Sequence, residues 1–362
     1  MNLSWISKAF SRTMILLNAI SFFSGNYYFR RVALLIVIKP VLKKENSVLK
    51  FYFLFALAIL VLAWVSLFTG VKEIRYATLL QEPDQLLVFT ISRIPRTLSL
   101  ILSGAGLSIA GLIMQQITQN KFISPTTSGG LEAAKMGILF GLILFPGTSL
   151  MAKMLFAIAC TFAANLLFLS VIRLVKYKGS VYIPLVGIMF GNILAAVSTF
   201  FAYKHEIVQN TQEWLLGDFS AVLAGQYEAI YLILPAVVLA YVYADRFTIA
   251  GMGEHFAKNL GLSYTAVVNI GLFVVALVVG ATMVTVGTIA FVGLVIPNLV
   301  SMYSGDHLKR TLPFSAFAGA IFLLVCDIFG RIIIAPYEIP IGMTAGLIGG
   351  VFFLILILKK RK

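Results

Sequence analysis

Between Thr97 and Asn120 the chain carries no charge, and this run is bracketed by Arg93 and Arg96 on one side and Lys121 on the other. A hydrocarbon core about 30 Å thick needs roughly 20 apolar helical residues, so the run is long enough to cross once. The same pattern recurs along the chain and predicts about ten spans, at 51–69, 97–118, 129–146, 152–172, 182–203, 228–244, 264–283, 287–303, 312–333 and 341–358. Two of them depart from an uninterrupted apolar helix: the third starts with Glu132 and Lys135, and Pro297 interrupts the eighth. Short alternating strands of barrel type are not seen. The pattern is that of an all-α polytopic membrane protein.

Lysine and arginine positions orient these spans. If the N-terminus is cytoplasmic, the inner segments hold Lys8, Arg12, Arg30, Arg31, Lys39, Lys43, Lys44, Lys50, Lys121, Arg173, Lys176, Lys178, Arg246, Lys258, Lys309, Arg310 and the terminal KKRK. The outer segments keep only Lys72, Arg75, Arg93, Arg96, Lys153, Lys204 and Arg331. The asymmetry favours that orientation, and an even number of spans places both termini in the cytoplasm. The net charge of +14 then reflects topology and attraction to membrane lipid rather than a nucleic-acid footprint. Residues 1–50 form a basic arm without a cleavable-signal pattern, and its apolar piece, Val32 to Leu42, is too short to span. The expected division is therefore an N-terminal arm, 1–50, and a transmembrane domain, 51–362.

With 60% hydrophobic and 12% charged residues, the chain lies far from the usual soluble balance. Its chemistry is sparse. Cys160 and Cys326 fall in separate spans, and His205, His255 and His307 are scattered among loops, so neither a metal site nor a catalytic constellation is visible. There is no GxxxxGK[ST] and no Gly-Lys dipeptide, which excludes a phosphate-binding loop of that type. Within the spans only Asp327 is conspicuous, with Arg331 one helical turn on, and the simplest reading is a local pair near the outer surface. Glycines four apart, in GILFG (Gly137, Gly141), GIMFG (Gly187, Gly191) and the series Gly342, Gly346, Gly350, allow close helix packing. The inner segment AGMGEHFAKNLGL, Ala250 to Leu262, has the spacing of a short amphipathic helix with Gly261 as its C-cap, suited to docking another protein.

RIPRTLSLILSGAGLSIAGLIMQQITQNKFISP, GMGEHFAKNLGL, TVGTIAFVGLVIPNLVSMYSGDHLKRTLPFSA and YEIPIGMTAGLIGGVFFLILI resemble the signature blocks of the iron-siderophore and cobalamin (FecCD-type) family of ABC importer permeases. The resemblance runs in order from about residue 55 to 358. NKFISPTTSG and IPNL replace commoner family variants and resemble a subgroup serving catecholate or related iron-siderophores. The resemblance implies a type II importer permease architecture with ten helices per subunit. It also implies a second permease subunit, identical or homologous, an ABC ATPase dimer inside and an extracytoplasmic siderophore-binding protein outside. The chain itself would bind no cofactor or metal and would not be an enzyme, since ATP would be hydrolysed on the partner subunit.

Residue by residue, the resemblance places Gly253, Glu254, Ala257, Leu260 and Gly261 in a cleft of the ATPase. Arg93, Arg96 and Arg331 match outer-surface arginines that pair with acids on the binding protein. Pro95 would then sit in the first helical turn, where its missing N–H costs little. The fifth and last spans would flank the dimer axis, with Gly187, Gly191, Asn192, Gly342 and Gly346 along the pathway. The alternative is a secondary transporter or channel for a small solute, which needs an ion site or selectivity ring of its own.

Overall fold

The computed structural model describes residues 50–70, 79, 81–147, 149–175, 181–213 and 216–359. Apart from Lys50, the basic arm lies outside the described residues, as do Lys72 and Arg75. The chain divides into units Met1–Leu57 and Ala58–Lys362. The first contributes only residues 50–57, helical at the start of α1 (Lys50–Phe68).

The described residues are helical and contain no strand. After α1 come α2 (Pro83–Ile117), α3 (Gly130–Leu144), α4 (Leu150–Leu174), α5 (Tyr182–Lys204) and the short α6 (Val208–Glu213). They are followed by α7 (Glu228–Val242), α8 (Ala244–Ala250), α9 (Glu254–Asn259) and α10 (Tyr264–Val286). The last three are α11 (Val292–Ser304), α12 (Leu308–Ile332) and α13 (Ile341–Lys359). Among the described residues six helices, α1, α2, α4, α5, α10 and α12, are long and apolar enough to cross a membrane, and α7 with α8, bent by 63° at their junction, makes a seventh if counted as one span. α11 is a shorter apolar helix, as is α13 over Ile341–Leu356.

Three predicted spans take a different form. α2 begins at Pro83, well before Thr97, and a π turn at Phe89–Arg93 lies within it. Pro95 therefore follows the π turn instead of opening the helix at the membrane surface, and the altered hydrogen-bond ladder there accommodates its missing N–H. The eighth span shrinks to α11: residues 287–291 are not helical, and Pro297 is buried inside the helix without ending it. The third shortens to α3, whose Lys135 is buried with its ammonium 3.9 Å from Glu132.

Burial sorts the helices into centre and periphery. In α2 and α10, 78% and 72% of the most apolar window is buried, against 6% in α1 and 22% in α5. α2 packs on α12, α11 and α10, while α3 and α10 both pack on α4. Apolar side chains gain nothing by leaving lipid for one another, so close backbone approach carries these contacts. Gly104 of α2 and Gly319 of α12 face each other so closely that a Cβ on either would overlap the other's carbonyl, and a Cβ on Gly111 would overlap the Gly293 carbonyl of α11. Gly137 of the GILFG repeat likewise lies on the Phe156 carbonyl of α4, so at that position the repeat is helix packing.

Candidate functional site

The ionic groups expected on the outer side meet at one end of the helices. Asp327, fully buried on α12, accepts hydrogen bonds from Arg96 Nε and Nη2 at 3.0 and 2.8 Å, from Arg331 Nε at 3.1 Å and from Ser66 Oγ at 3.0 Å. Arg331 Nη2 lies 2.7 Å from the second carboxylate oxygen. Arg331 Nη1 donates to the carbonyls of Ser66 and Thr69 at 3.0 and 2.5 Å, and Arg93 Nη1 donates to the same Thr69 carbonyl at 2.6 Å. Arg96 Nη1 reaches Glu338 Oε2 at 2.6 Å, just before α13. One buried carboxylate thus ties the end of α1 to α2 and α12, and through Arg96 to the segment entering α13.

Arg93, Arg96 and Arg331 do gather at one end, as expected, yet they do not project outward: all three are buried. An ionised carboxylate at 0% exposure demands counter-ions and hydrogen-bond donors, and the guanidiniums supply both. The expected Asp327–Arg331 pair is present. What the sequence left invisible is Arg96, which reaches Asp327 from 231 positions away, and the share Glu338 takes in holding it. Because Asp327 is fully engaged, it offers no open ion site of the kind a secondary transporter uses.

The groups expected on the inner side also meet one another. Lys121 pairs with Asp306, Lys309 with Asp245 at 3.0 Å, and Asn298 Nδ2 donates to the Lys121 carbonyl at 2.8 Å. Here lies α9, the expected amphipathic helix. Gly253 precedes it at φ +114° and Gly261 follows it at φ +75°, backbone conformations that glycine adopts without strain. Phe256 of α9 and Leu260 at its C-cap, four residues apart, are exposed on one apolar stripe, Met252 is exposed in the turn before Gly253, and Ala257 is buried. Ala257 is therefore a foot by which α9 rests on the protein and not a contact with a partner. Lys258 hydrogen-bonds Glu254 at 2.8 Å, which holds the Glu254 carboxyl below its ordinary pKa.

Two glutamines that sequence reasoning missed lie beneath the turn into α9. Gln116 packs on Gly251 and donates to the Thr248 carbonyl at 3.4 Å, and Gln119 lies near Gly253. They line a cavity of about 460 Å³ together with Gln115, Lys121, Asp306 and His307. No periodicity could have flagged them, since Gln116 closes an apolar helix and Gln119 lies just past it, and that polar end looks like any span terminus.

The five candidate pathway residues separate into two groups. A Cβ at Gly187 would overlap the Thr127 carbonyl, one at Gly342 would overlap the Leu216 carbonyl, and Gly191 lies against Gly129. These three serve packing. Asn192 is exposed, and nothing lies within 4 Å of a Cβ at Gly346. Gly346→Leu should leave folding intact and cut transport by about tenfold if this face lines the route, because a narrowed passage acts on a bulky solute directly. Gly187→Leu should instead lower the yield of folded protein. Uptake with purified Gly346→Leu equal to the parent's would remove α13's open face from the route.

A bundle of apolar helices with buried ion pairs at one end and a short, partly exposed helix at the other has the form of a polytopic membrane protein. The chain belongs to the FecCD transport family, whose sequence profile matches residues 56–359. It is 49% identical over 315 residues, 86% of this chain and 99% of the relative, to the petrobactin import system permease protein YclN of Bacillus subtilis. It is 46% identical to the ferric-anguibactin transport system permease protein FatD of Vibrio anguillarum, over 84% of this chain and 98% of that one. A solved structure described as an inward-facing metal-chelate type ABC transporter superposes with a TM-score of 0.72 at 25% identity, covering 86% of this chain and 99% of the other.

Proposed function

We propose that this chain is the permease subunit of an ABC importer that carries a ferric siderophore across the bacterial cytoplasmic membrane, with both termini inside. The observation that carries the reading is near-full-length kinship to permeases of the petrobactin and ferric-anguibactin systems. Among the described residues the one fully buried carboxylate, Asp327, is closed off by Arg96, Arg331 and Ser66, which supports a subunit that does not use it as an ion site.

The reading includes three partners. An ABC ATPase dimer would take the exposed Met252, Phe256 and Leu260 at and around α9 into a cleft. A second permease subunit, identical or homologous, would face α5 and α13, with Asn192 and Gly346 toward the shared pathway. A siderophore-binding protein would dock at the outer end, where Arg93, Arg96 and Arg331 gather with Asp327 and Glu338 and acids on the partner have guanidiniums to pair with.

Reconstitution tests the reading. In proteoliposomes holding this chain with its ATPase, uptake of the iron chelate should require ATP on the ATPase side and the binding protein on the other. Flux driven by a proton or sodium gradient through this chain alone would overturn it.

A further inference from the structure

We propose that Glu338 is an internal stand-in for a carboxylate of the binding protein, and that docking displaces it from Arg96 and frees the segment leading into α13. This rests on the docking reading above and adds to it a residue and a consequence. Two of the three guanidinium nitrogens of Arg96 donate to Asp327, which is fully buried. The third, Nη1, goes to Glu338 Oε2 at 2.6 Å, and that carboxylate is the one member of the pair open to the outside: the Glu338 side chain is 22% exposed, that of Arg96 6%. Glu338 therefore covers Arg96 from the direction in which a partner arrives.

Exchange of one carboxylate for another is the cheapest way into such a cluster. A buried guanidinium left without its acid is costly, but here the incoming acid replaces the outgoing one, so the charge count inside never changes.

What Glu338 releases matters as much. It belongs to the non-helical connection between α12 and α13, whose residues Ile333 to Tyr337 are exposed. The connection's other anchors are backbone hydrogen bonds, Ile339 N to the Gly330 carbonyl and Gly342 N to the Gly217 carbonyl, both 2.9 Å. Losing the Arg96 contact loosens the outer entry to α13, the helix that carries Gly346. A docked and an undocked permease then differ in a specific contact, which is what any transmitted signal requires.

The test uses the binding protein that restores uptake in the reconstituted system. Glu338→Gln keeps the shape and a weaker acceptor for Arg96 but removes the competing charge, so docking should tighten about fivefold at low ionic strength and by less at high salt. Unchanged or weaker docking by the folded variant would overturn the proposal. A second measurement covers a variant that fails to fold: in a chain that keeps Glu338, an environment-sensitive fluorophore on Tyr337→Cys, an exposed position, should shift its emission when the binding protein docks. No shift would overturn the proposal too. Arg96→Gln separates the two readings. If it weakens docking while Glu338→Gln does not tighten it, the docking surface stands and the stand-in falls; if it leaves docking unchanged, the docking surface itself falls.

Discussion

Replacing Asp327 with Ala should cost about 3 kcal/mol or more of stability and remove most of the folded protein from detergent extracts, because breaking a buried ion pair from one side leaves the partner charge uncompensated. In this chain one carboxylate satisfies two guanidiniums and the Ser66 hydroxyl, so its loss orphans donors on three elements at once. A cost of that size is a large part of the 5–15 kcal/mol by which a typical domain is stable. Asp327→Asn, which keeps acceptor capacity but not charge, should fall between Ala and the parent. Replacing Asp327 and Arg331 together by Leu should recover part of the loss, since Arg96 then still has Glu338. The midpoint of thermal aggregation for purified protein orders the variants. A carrier coupled to an ion gradient predicts the reverse pattern, in which Asp327→Asn folds normally and loses only flux; that pattern would refute the structural role.

Half of this cluster was legible in the sequence. Asp327 and Arg331 are one helical turn apart, and a charge within an apolar run draws the eye to its nearest opposite. Positive charge in the loops also sorted the residues into sides, and the contacts respect the sorting: Thr69, Arg93, Arg96, Arg331 and Glu338 meet at one end, Lys121 and Asp306 at the other. What could not be read was which helices stand beside one another. Arg96 reaching Asp327 depends on α2 packing along α12 through Gly104 and Gly319, and a glycine in an apolar run permits a close approach without naming the partner. The resemblance placed Gly187 and Gly342 along the pathway, and what it could not give is that each lies against a backbone carbonyl. The start of α2 was missed for another reason: Pro83 to Arg93 contains Asp84 and Arg93, so an apolar-run criterion stops short of it, although a helix needs only internal hydrogen bonds to continue.

The other large effect belongs to the inner end. Phe256→Asp with Leu260→Asp should abolish ATP-driven uptake and release the ATPase from the membrane, while the chain itself inserts and folds. Both side chains are about half exposed or more, 48% and 60%, and they form an apolar stripe that no described residue covers. Burying a Phe or Leu side chain contributes about 1.5–3 kcal/mol each, so two such losses, with two carboxylates placed against the partner, are worth well over a hundredfold in affinity. Folding is spared because Ala257, not the stripe, holds α9 to the protein, and because Gly253 and Gly261 still shape its two ends. Lys258→Ala is the matched control on the same short helix: it removes an exposed pair with Glu254, and surface pairs of that kind contribute little. The Glu254 carboxyl, held below its ordinary pKa by Lys258, contributes stability that is present above its unfolded pKa and is lost as pH falls through the lowered folded value, so assays near neutral pH do not sense its titration. The readouts are ATPase retained on washed membranes and the ratio of chelate imported to ATP hydrolysed. Retention and a ratio equal to the parent's in the double variant would place coupling elsewhere, and the turn over Gln116 and Gln119 is then the next surface to alter.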